Sequence, residues 1–138
     1  MNHRPILLVE DNPDDEELTL RSLKQCNVVN EIVVARDGVE AVSLLHDGET
    51  FLPAVVILDL KLPKLDGIGV LKRIREHPRT RTLPVVILTS SAEDSDILAS
   101  YDLGANSYVR KPVKMDEFAR ATAQLGLYWT IINLVPPK

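Results

Sequence analysis

Five short segments with β-strand character recur along the chain, separated by longer amphipathic stretches. They cover residues 6–9, 31–35, 54–58, 85–88 and 106–110. The first, third and fourth segments are apolar without alternation, which is typical of strands buried on both faces of a parallel sheet. Strands that alternate with helices pair in parallel through right-handed crossovers. The pattern therefore predicts an α/β fold, a five-stranded parallel sheet with helices on both faces.

The intervening stretches carry helix-start and helix-stop signals. Asn12 is expected to cap the first helix with Pro13 at its first position, ahead of acidic residues that suit a helix N-terminus. A helix over about 93–102 should end before Gly104, and a fifth helix is expected to begin near Met115. Helical stretches therefore follow the strands along the chain.

Composition narrows the class of protein. The length of 138 residues fits one domain, and a net charge of −4 argues against a nucleic-acid-binding protein, because phosphates require a basic surface. Cys26 is the single cysteine. The sequence shows neither a signal peptide nor an apolar segment long enough to span a membrane. His3, His46 and His77 fit neither a phosphate relay nor a metal site. We therefore expect a cytoplasmic protein that binds neither nucleic acid nor membranes.

Polar side chains with complementary chemistry follow the predicted strands. Because the carboxyl ends of parallel strands share one edge of the sheet, these residues should converge near the point where strand order reverses. The acids Glu10 and Asp11 follow the first strand, and the acid Asp59 follows the third. The hydroxyl of Thr89 follows the fourth strand, and the ammonium of Lys111 follows the fifth. Any one of them alone is typical of a polar loop end. Three acids facing one lysine indicate a functional site.

The acidic members of this group favour phosphoryl-transfer chemistry. Clustered carboxylates repel one another, and a hard divalent ion such as Mg²⁺ relieves that repulsion through oxygen ligands. A metal-bound carboxylate can also attack a phosphoryl group and form an aspartyl phosphate. Among these acids, Asp59 is the least easily explained by structure alone, because a carboxylate directly after a buried strand is costly without a metal or another partner. Lys111 and Thr89 can then neutralise charge on the phosphoryl oxygens.

Four motifs at these positions resemble those of the receiver domains of two-component response regulators. They are LLVEDN around Glu10 and Asp11, VVILDLKLPKLDG around Asp59, VVILTSS around Thr89, and GANSYVRKP around Lys111. Each motif alone is weak, but together, in order and at strand ends, they are highly specific. The resemblance covers roughly residues 4–125 and implies the (βα)5 flavodoxin-like receiver fold, so we assign residues 1–125 to a receiver domain.

The resemblance also implies how such a site would act. Asp59 is expected to accept a phosphoryl group from a phosphohistidine on a sensor histidine kinase, and Thr89 and Lys111 are expected to contact the phosphoryl oxygens. The implied Mg²⁺ ligands are Glu10, Asp11, Asp59 and the backbone carbonyl of Lys61.

A conformational switch is implied by the same resemblance. Thr89 is expected to move toward the phosphate while the ring of Tyr108 swings inward, and the Lys111–Pro112 peptide bond is expected to be cis. Structural alternatives remain for each residue. Thr89 could cap the following helix, Tyr108 could be an ordinary half-buried strand aromatic, and Lys111 could pair with an acid and only stabilise the fold.

Lysine occupies position 61, two residues after the expected phosphoacceptor. Its side chain can lean over the acyl phosphate and pair with a nearby carboxylate. We therefore hypothesise that Lys61 hinders the hydrolytic water and lengthens the phosphorylated lifetime.

Residues 126–138 extend beyond the receiver pattern as an apolar tail. Apolar residues at helical spacing continue into it as far as Ile132, and Trp129 adds apolar surface outside that stripe. The tail could fold over its own domain. We favour a homodimer contact through Tyr128, Trp129 and Ile132, because exposed aromatic and aliphatic patches usually mark interfaces.

The single-domain layout and the proline-ended tail most resemble the small response regulators that partner bacterial phytochrome-type histidine kinases. The output is expected to pass through a downstream protein that the sequence does not name. The principal alternative is a Mg²⁺-dependent phosphatase with an aspartyl nucleophile. Such an enzyme needs a second acid, for which Asp66 is the nearby loop candidate, and a cap over its substrate. We expect only slow self-dephosphorylation rather than enzymatic turnover.

Overall fold

Strands and helices alternate along the chain in the order that the sequence predicts. The computed structural model describes residues 4–25, 28, 30–47, 51–90 and 93–111. Their elements are β1 (Ile6–Val9), α1 (Pro13–Gln25), β2 (Ile32–Ala35), α2 (Gly38–His46), β3 (Val55–Leu58), α3 (Gly67–Glu76), β4 (Val85–Thr89), α4 (Asp94–Asp102) and β5 (Ser107–Arg110). All five predicted strands are confirmed, and the fifth helix expected near Met115 lies outside the described residues.

The strands form one sheet in the order β2-β1-β3-β4-β5, and every neighbouring pair is parallel. The order of the strands reverses between β1 and β3, which opens a crevice at their carboxyl ends. Val9 is paired with Leu58, so the next residues, Glu10 and Asp59, leave the sheet side by side. The backbone N–H of Asp59 still donates to the Val9 carbonyl at 3.1 Å, which fixes the start of the loop.

Alternate residues of the strands divide between two core layers. Leu7 and Val9 of β1 pack in the layer beneath α2 and α3. Ile6 and Leu8 face the opposite side, in the layer that includes Leu23 of α1. Because successive side chains of a strand point to opposite faces, a strand covered on both sides must be apolar throughout. This arrangement explains the unbroken apolar runs in the sequence.

Three helices are capped at their N-termini by polar side chains at the carboxyl edge of the sheet. Asn12 Oδ1 accepts hydrogen bonds from the backbone N–H groups of Asp14 at 2.9 Å and Asp15 at 3.0 Å, which confirms the predicted cap. Asp37 caps α2 and Asp66 caps α3 in the same way. Within the described ranges, none of these helices combines the length and the hydropathy that a bilayer span requires.

Gly67 allows α3 to start directly against the loop that carries Asp59. A Cβ atom at this position would lie 2.3 Å from the carbonyl oxygen of Asp59 and 2.5 Å from the Cα of Leu60. Any other residue would therefore displace the backbone next to the expected phosphoacceptor. The N–H of Gly67 also donates to the Leu60 carbonyl at 3.0 Å, which closes the loop between β3 and α3.

Candidate functional site

The three predicted acids meet where β1 and β3 lie side by side. Glu10 and Asp59 are buried, whereas Asp11 is exposed. One carboxylate oxygen from each residue lies within 4.8 Å of the other two. Hard oxygen donors at this spacing, two of them buried and all of them acidic, fit a single divalent cation. The Lys61 carbonyl stays a predicted ligand, while the Lys61 backbone N–H donates to Asp59 Oδ1 at 3.3 Å.

Lys111 joins this acidic group from the end of β5. Its side chain is only 10% exposed, and its ammonium lies 2.9 Å from Asp59 Oδ2 and 3.0 Å from Asp15 Oδ2. It also forms an ion pair with Glu10 Oε1. The structure therefore brings the predicted lysine directly to the predicted phosphoacceptor.

Thr89 completes the set from the last position of β4. Its side chain is fully buried, and its hydroxyl lowers the pKa of the Asp59 carboxyl. Asp59 thus receives hydrogen bonds from the Lys111 ammonium, just after β5, and from the Lys61 N–H on its own loop, while the Thr89 hydroxyl of β4 stabilises its charged form. A carboxylate held this way has a fixed orientation and remains ionised.

The electrostatics of the two buried acids differ. Burial raises the pKa of Glu10 to about 7, against the opposing effect of the Lys111 ammonium. Burial also acts to raise the pKa of Asp59, but the Lys111 ammonium and the Thr89 hydroxyl hold it below the ordinary value. The pKa of Lys111 is raised despite burial, because three carboxylates accept its hydrogen bonds. Asp59 is therefore the acid of this pair that is anionic and ready to act as a nucleophile at neutral pH.

Asp15 belongs to the same network although sequence reasoning assigned it no role at the site. It lies in the first turn of α1 within an acidic run that continues through Asp14 and Glu16. These neighbours look equivalent in the sequence, and only the packing of α1 against the sheet edge determines which one faces Lys111.

The remaining predicted residues fall into two groups. Tyr108 is half-buried on β5 and packs against the core layer beneath α2 and α3. The predicted cis peptide bond to Pro112 and the predicted tail contacts lie outside the described residues. The tail contacts are Tyr128, Trp129 and Ile132.

Asp66, the acid that the phosphatase alternative requires, has a structural role. Its Oδ1 accepts the backbone N–H of Gly69 at 2.8 Å and caps α3. A carboxylate that satisfies a helix N-terminus is held away from general acid or base chemistry by that hydrogen bond. This contact disfavours the phosphatase alternative.

Two of the three histidines lie at the other end of the helices, away from the acidic edge. The rings of His46 and His77 stack with centroids 4.1 Å apart. His46 Nε2 lies 3.2 Å from Oγ1 of Thr80, a residue that is fully buried. His46 and His77 thus make contacts within the fold, while His3 lies outside the described residues.

The arrangement of acids, hydroxyl and lysine agrees with a sequence match to a known family. Residues 6–123 match the response regulator receiver domain. The chain belongs to this family. The receiver fold predicted from the sequence is thereby confirmed, as is the resemblance to response regulators.

The chain is similar to response regulators of known structure or sequence. The structure of the bacteriophytochrome response regulator AtBRR is 49% identical, covers 97% of this chain and all of its own, and has a TM-score of 0.84. The response regulator Rcp1 of Synechocystis sp. is 34% identical over 128 residues, which is 90% of this chain and 87% of Rcp1.

Two of the similar structures show a ligand or a modification. The Mn²⁺-bound form of Rcp1 has a TM-score of 0.75 at 32% identity and covers 98% of this chain and 99% of its own. The phosphorylated cyanobacterial phytochrome response regulator RcpA has a TM-score of 0.78 at 35% identity and covers 99% of both chains. Relatives of this receiver therefore bind a divalent cation and become phosphorylated.

Proposed function

We propose that this receiver signals by accepting a phosphoryl group from a sensor histidine kinase on Asp59, with Mg²⁺ as the divalent cation. The observation that carries this proposal is the environment of Asp59. Its carboxylate is buried, kept anionic by Lys111 and Thr89, and adjacent to two further acids. This environment places a nucleophilic oxygen of Asp59 beside groups that can neutralise the charge on the phosphoryl oxygens.

The chain's own residues carry the transfer step. An oxygen of Asp59 attacks the phosphorus of the phosphohistidine, the P–N bond breaks, and its electron pair stays on the kinase imidazole. Lys111 donates to one phosphoryl oxygen in place of Asp59 Oδ2, and the Thr89 hydroxyl donates to a second. Glu10, Asp11, Asp59 and the backbone carbonyl of Lys61 would hold Mg²⁺, which would supply positive charge at the transferring group.

The phosphorylated state is read through a switch in Thr89 and Tyr108. Thr89 is buried and its hydroxyl already stabilises the charged form of Asp59, so a phosphoryl group on that carboxylate changes the charge that this hydroxyl faces. Tyr108 lies nearby on β5, paired in register with Ile87 of β4. A local change of charge can bias a packed element of this kind between two states. The output then passes to a downstream protein.

A phytochrome-type histidine kinase is the partner that the relatives support. AtBRR is described as a bacteriophytochrome response regulator and RcpA as a cyanobacterial phytochrome response regulator. The experiment compares an autophosphorylated phytochrome-type kinase with an unrelated histidine kinase as donors. We expect rapid label transfer from the phytochrome-type kinase to the wild-type chain and none to Asp59→Asn. Faster transfer from the unrelated kinase would contradict the partner, and transfer to Asp59→Asn would contradict the site.

A separate assay with a small phosphate ester tests whether the chain is an enzyme rather than a signalling protein. A receiver releases phosphate slowly, after each phosphorylation, and does not turn over small phosphate esters. We expect no Asp59-dependent release from a chromogenic aryl phosphate. Continuous turnover would support the phosphatase alternative instead.

We also infer a cytoplasmic homodimer held by the tail, residues 126–138, through Tyr128, Trp129 and Ile132. The support is compositional, because this short segment concentrates large apolar side chains. Light scattering on the full chain and on a chain truncated after Gly126 tests the contact. We expect a dimer that becomes a monomer on truncation. A truncated chain that stays dimeric, or a full chain that is monomeric, would contradict it.

A further inference from the structure

Asp15 is a fourth carboxylate at the site, and the phosphoryl transfer proposed for Asp59 does not use it. It lies in the first turn of α1 and accepts a hydrogen bond from Lys111 Nζ at 3.0 Å. Its side chain is 37% exposed, whereas that of Lys111 is 10% exposed. The contact joins residues 96 positions apart and connects α1 to the end of β5.

The three partners of Lys111 differ in what the reaction does to them. A lysine ammonium has three N–H donors, and here they are matched by Glu10, Asp15 and Asp59. Glu10 and Asp59 belong to the acidic cluster that fits a divalent cation, and Asp59 is also the proposed phosphoacceptor. Asp15 is neither a member of that cluster nor the proposed phosphoacceptor. Its hydrogen bond is therefore the one that can persist while the other two are exchanged.

We propose that Asp15 is a positioning residue that holds the Lys111 ammonium in place for the incoming phosphoryl group, an inference that rests on the proposed function. Lysine has a flexible four-carbon stem, and its ammonium must stay within hydrogen-bond distance of a phosphoryl oxygen. A single fixed acceptor from α1 limits the stem to one arrangement when the Asp59 contact opens. Geometry of this kind contributes to the rate of a transfer that depends mainly on positioning.

A purely structural role for Asp15 predicts a different pattern. An acid in the first turn of a helix stabilises it through the helix dipole, wherever its side chain points. Asp14 shares that turn and that charge, and it is exposed. Among the described ion pairs, Lys111 pairs with Asp15 of this turn and not with Asp14. Asp14→Ala is therefore a matched control that removes the dipole effect without touching Lys111.

The test measures the rate at which acetyl phosphate and Mg²⁺ phosphorylate the full chain. Asp15→Ala is expected to slow the rate at saturating acetyl phosphate by about tenfold, because the ammonium loses its fixed acceptor. Asp15→Asn should match the wild type or exceed it, because the amide oxygen still accepts a hydrogen bond and one negative charge is gone. Asp14→Ala should match the wild type. A wild-type rate for Asp15→Ala, or equal slowing by Asp15→Asn, would overturn the proposal.

A second measurement follows the ammonium itself in the unphosphorylated protein at saturating Mg²⁺, where Glu10 and Asp59 contact the cation and Asp15 is the acceptor that keeps its hydrogen bond to Lys111. The ¹⁵N signal of Lys111 Nζ is expected to be sharp in the wild type and in Asp15→Asn, and broadened in Asp15→Ala. An unchanged signal in Asp15→Ala would overturn the positioning role whatever the phosphorylation rates. If the wild-type chain takes up no phosphoryl group on Asp59, the proposed function fails, and this signal still decides whether Asp15 holds Lys111.

Discussion

Lys111 Nζ lies 2.9 Å from Asp59 Oδ2, although β5 and β3 are separated in the sheet by β4. Thr89, at the end of that intervening strand, stabilises the charged form of the same carboxylate. Three neighbouring strands thus each contribute one group to a single buried site. The lysine offsets the burial of Asp59, and the acids around it leave excess negative charge for a cation to neutralise.

Mg²⁺ should stabilise the folded protein through the three-acid cluster. We expect the free energy of unfolding to rise with Mg²⁺ by about 1.4 kcal/mol at ten times the dissociation constant. Asp11→Asn should remove most of this increase, because it takes away one carboxylate ligand, but leave the metal-free protein nearly as stable, because Asp11 is exposed. Urea unfolding with and without Mg²⁺ measures both effects. Asp14→Asn is the control, and an equal Mg²⁺ response in Asp11→Asn would contradict the assignment.

Much of the fold and of the site could be predicted because local chemistry specifies it. Strands covered on both faces must be apolar, as Val55–Leu58 shows, and the residues after them must be polar where the chain leaves the sheet. Asp59, Thr89 and Lys111 could be predicted to converge because parallel strands end at one edge.

Contacts set by packing could not be predicted in this way. The pairing of Asp15 with Lys111 depends on how α1 is rotated against the sheet, and the acidic run around Asp15 gives no local distinction. The stacking of His46 on His77 depends on how α2 lies against the end of α3. Side-chain contacts between distant elements are determined by tertiary packing, which periodicity does not record.

Arg75 should be a major contributor to stability through hydrogen bonds that the sequence did not indicate. Its guanidinium donates to the carbonyls of Leu103, Arg81, Leu83 and Gly104 and to Oδ1 of Asn106. We expect Arg75→Met to lower the free energy of unfolding by about 2–4 kcal/mol, since several acceptors lose their donor at once. Arg75→Lys should lose most of the same stability, because one ammonium cannot replace a planar fork.

The control for Arg75 is Arg73→Met, an exposed position on the same helix. It should change the free energy of unfolding by less than about 0.5 kcal/mol. Urea denaturation monitored by circular dichroism measures all three variants. Equal losses for Arg75→Met and Arg73→Met would show that the hydrogen bonds contribute little.

Stability should depend on pH through His46. Burial lowers the pKa of His46, and the neighbouring His77 lowers it further. A depressed folded-state pKa means that the unfolded chain binds the proton more tightly, so the contribution of His46 is full above the ordinary histidine pKa and is lost as pH falls through the folded value. We therefore expect the urea midpoint to drop between pH 7 and pH 5, and to drop less in His46→Gln. Identical pH profiles for the two proteins would contradict this account.

Lys61 should lengthen the lifetime of the aspartyl phosphate. Its ammonium lies 3.8 Å from Asp96 Oδ2 of α4, while 65% of its side chain is exposed. A side chain that reaches from the Asp59 loop to α4 can hinder the approach of water to the acyl phosphate. We expect Lys61→Asn to shorten the phosphorylated lifetime by roughly threefold. Asp96→Asn should shorten it less, because the lysine remains but loses this partner.

Label loss from the phosphorylated protein, followed over time, measures the Lys61 effect. Asp37→Asn provides a control, because Asp37 pairs with Lys64 at 3.5 Å rather than with Lys61. A lifetime in Lys61→Asn equal to that of the wild type would rule out the shielding hypothesis.

The central claim is that Asp59 is the phosphoacceptor, and intact-mass measurement tests it most directly. Wild type, Asp59→Asn and Asp11→Asn are incubated with acetyl phosphate and Mg²⁺, and the acyl phosphate is then located by borohydride reduction and peptide mapping. We predict one phosphoryl group per wild-type chain, located on Asp59, with none on Asp59→Asn and slow uptake by Asp11→Asn. Phosphorylation of Asp59→Asn at the wild-type rate, or a label mapped to another residue of the wild-type chain, would contradict the account.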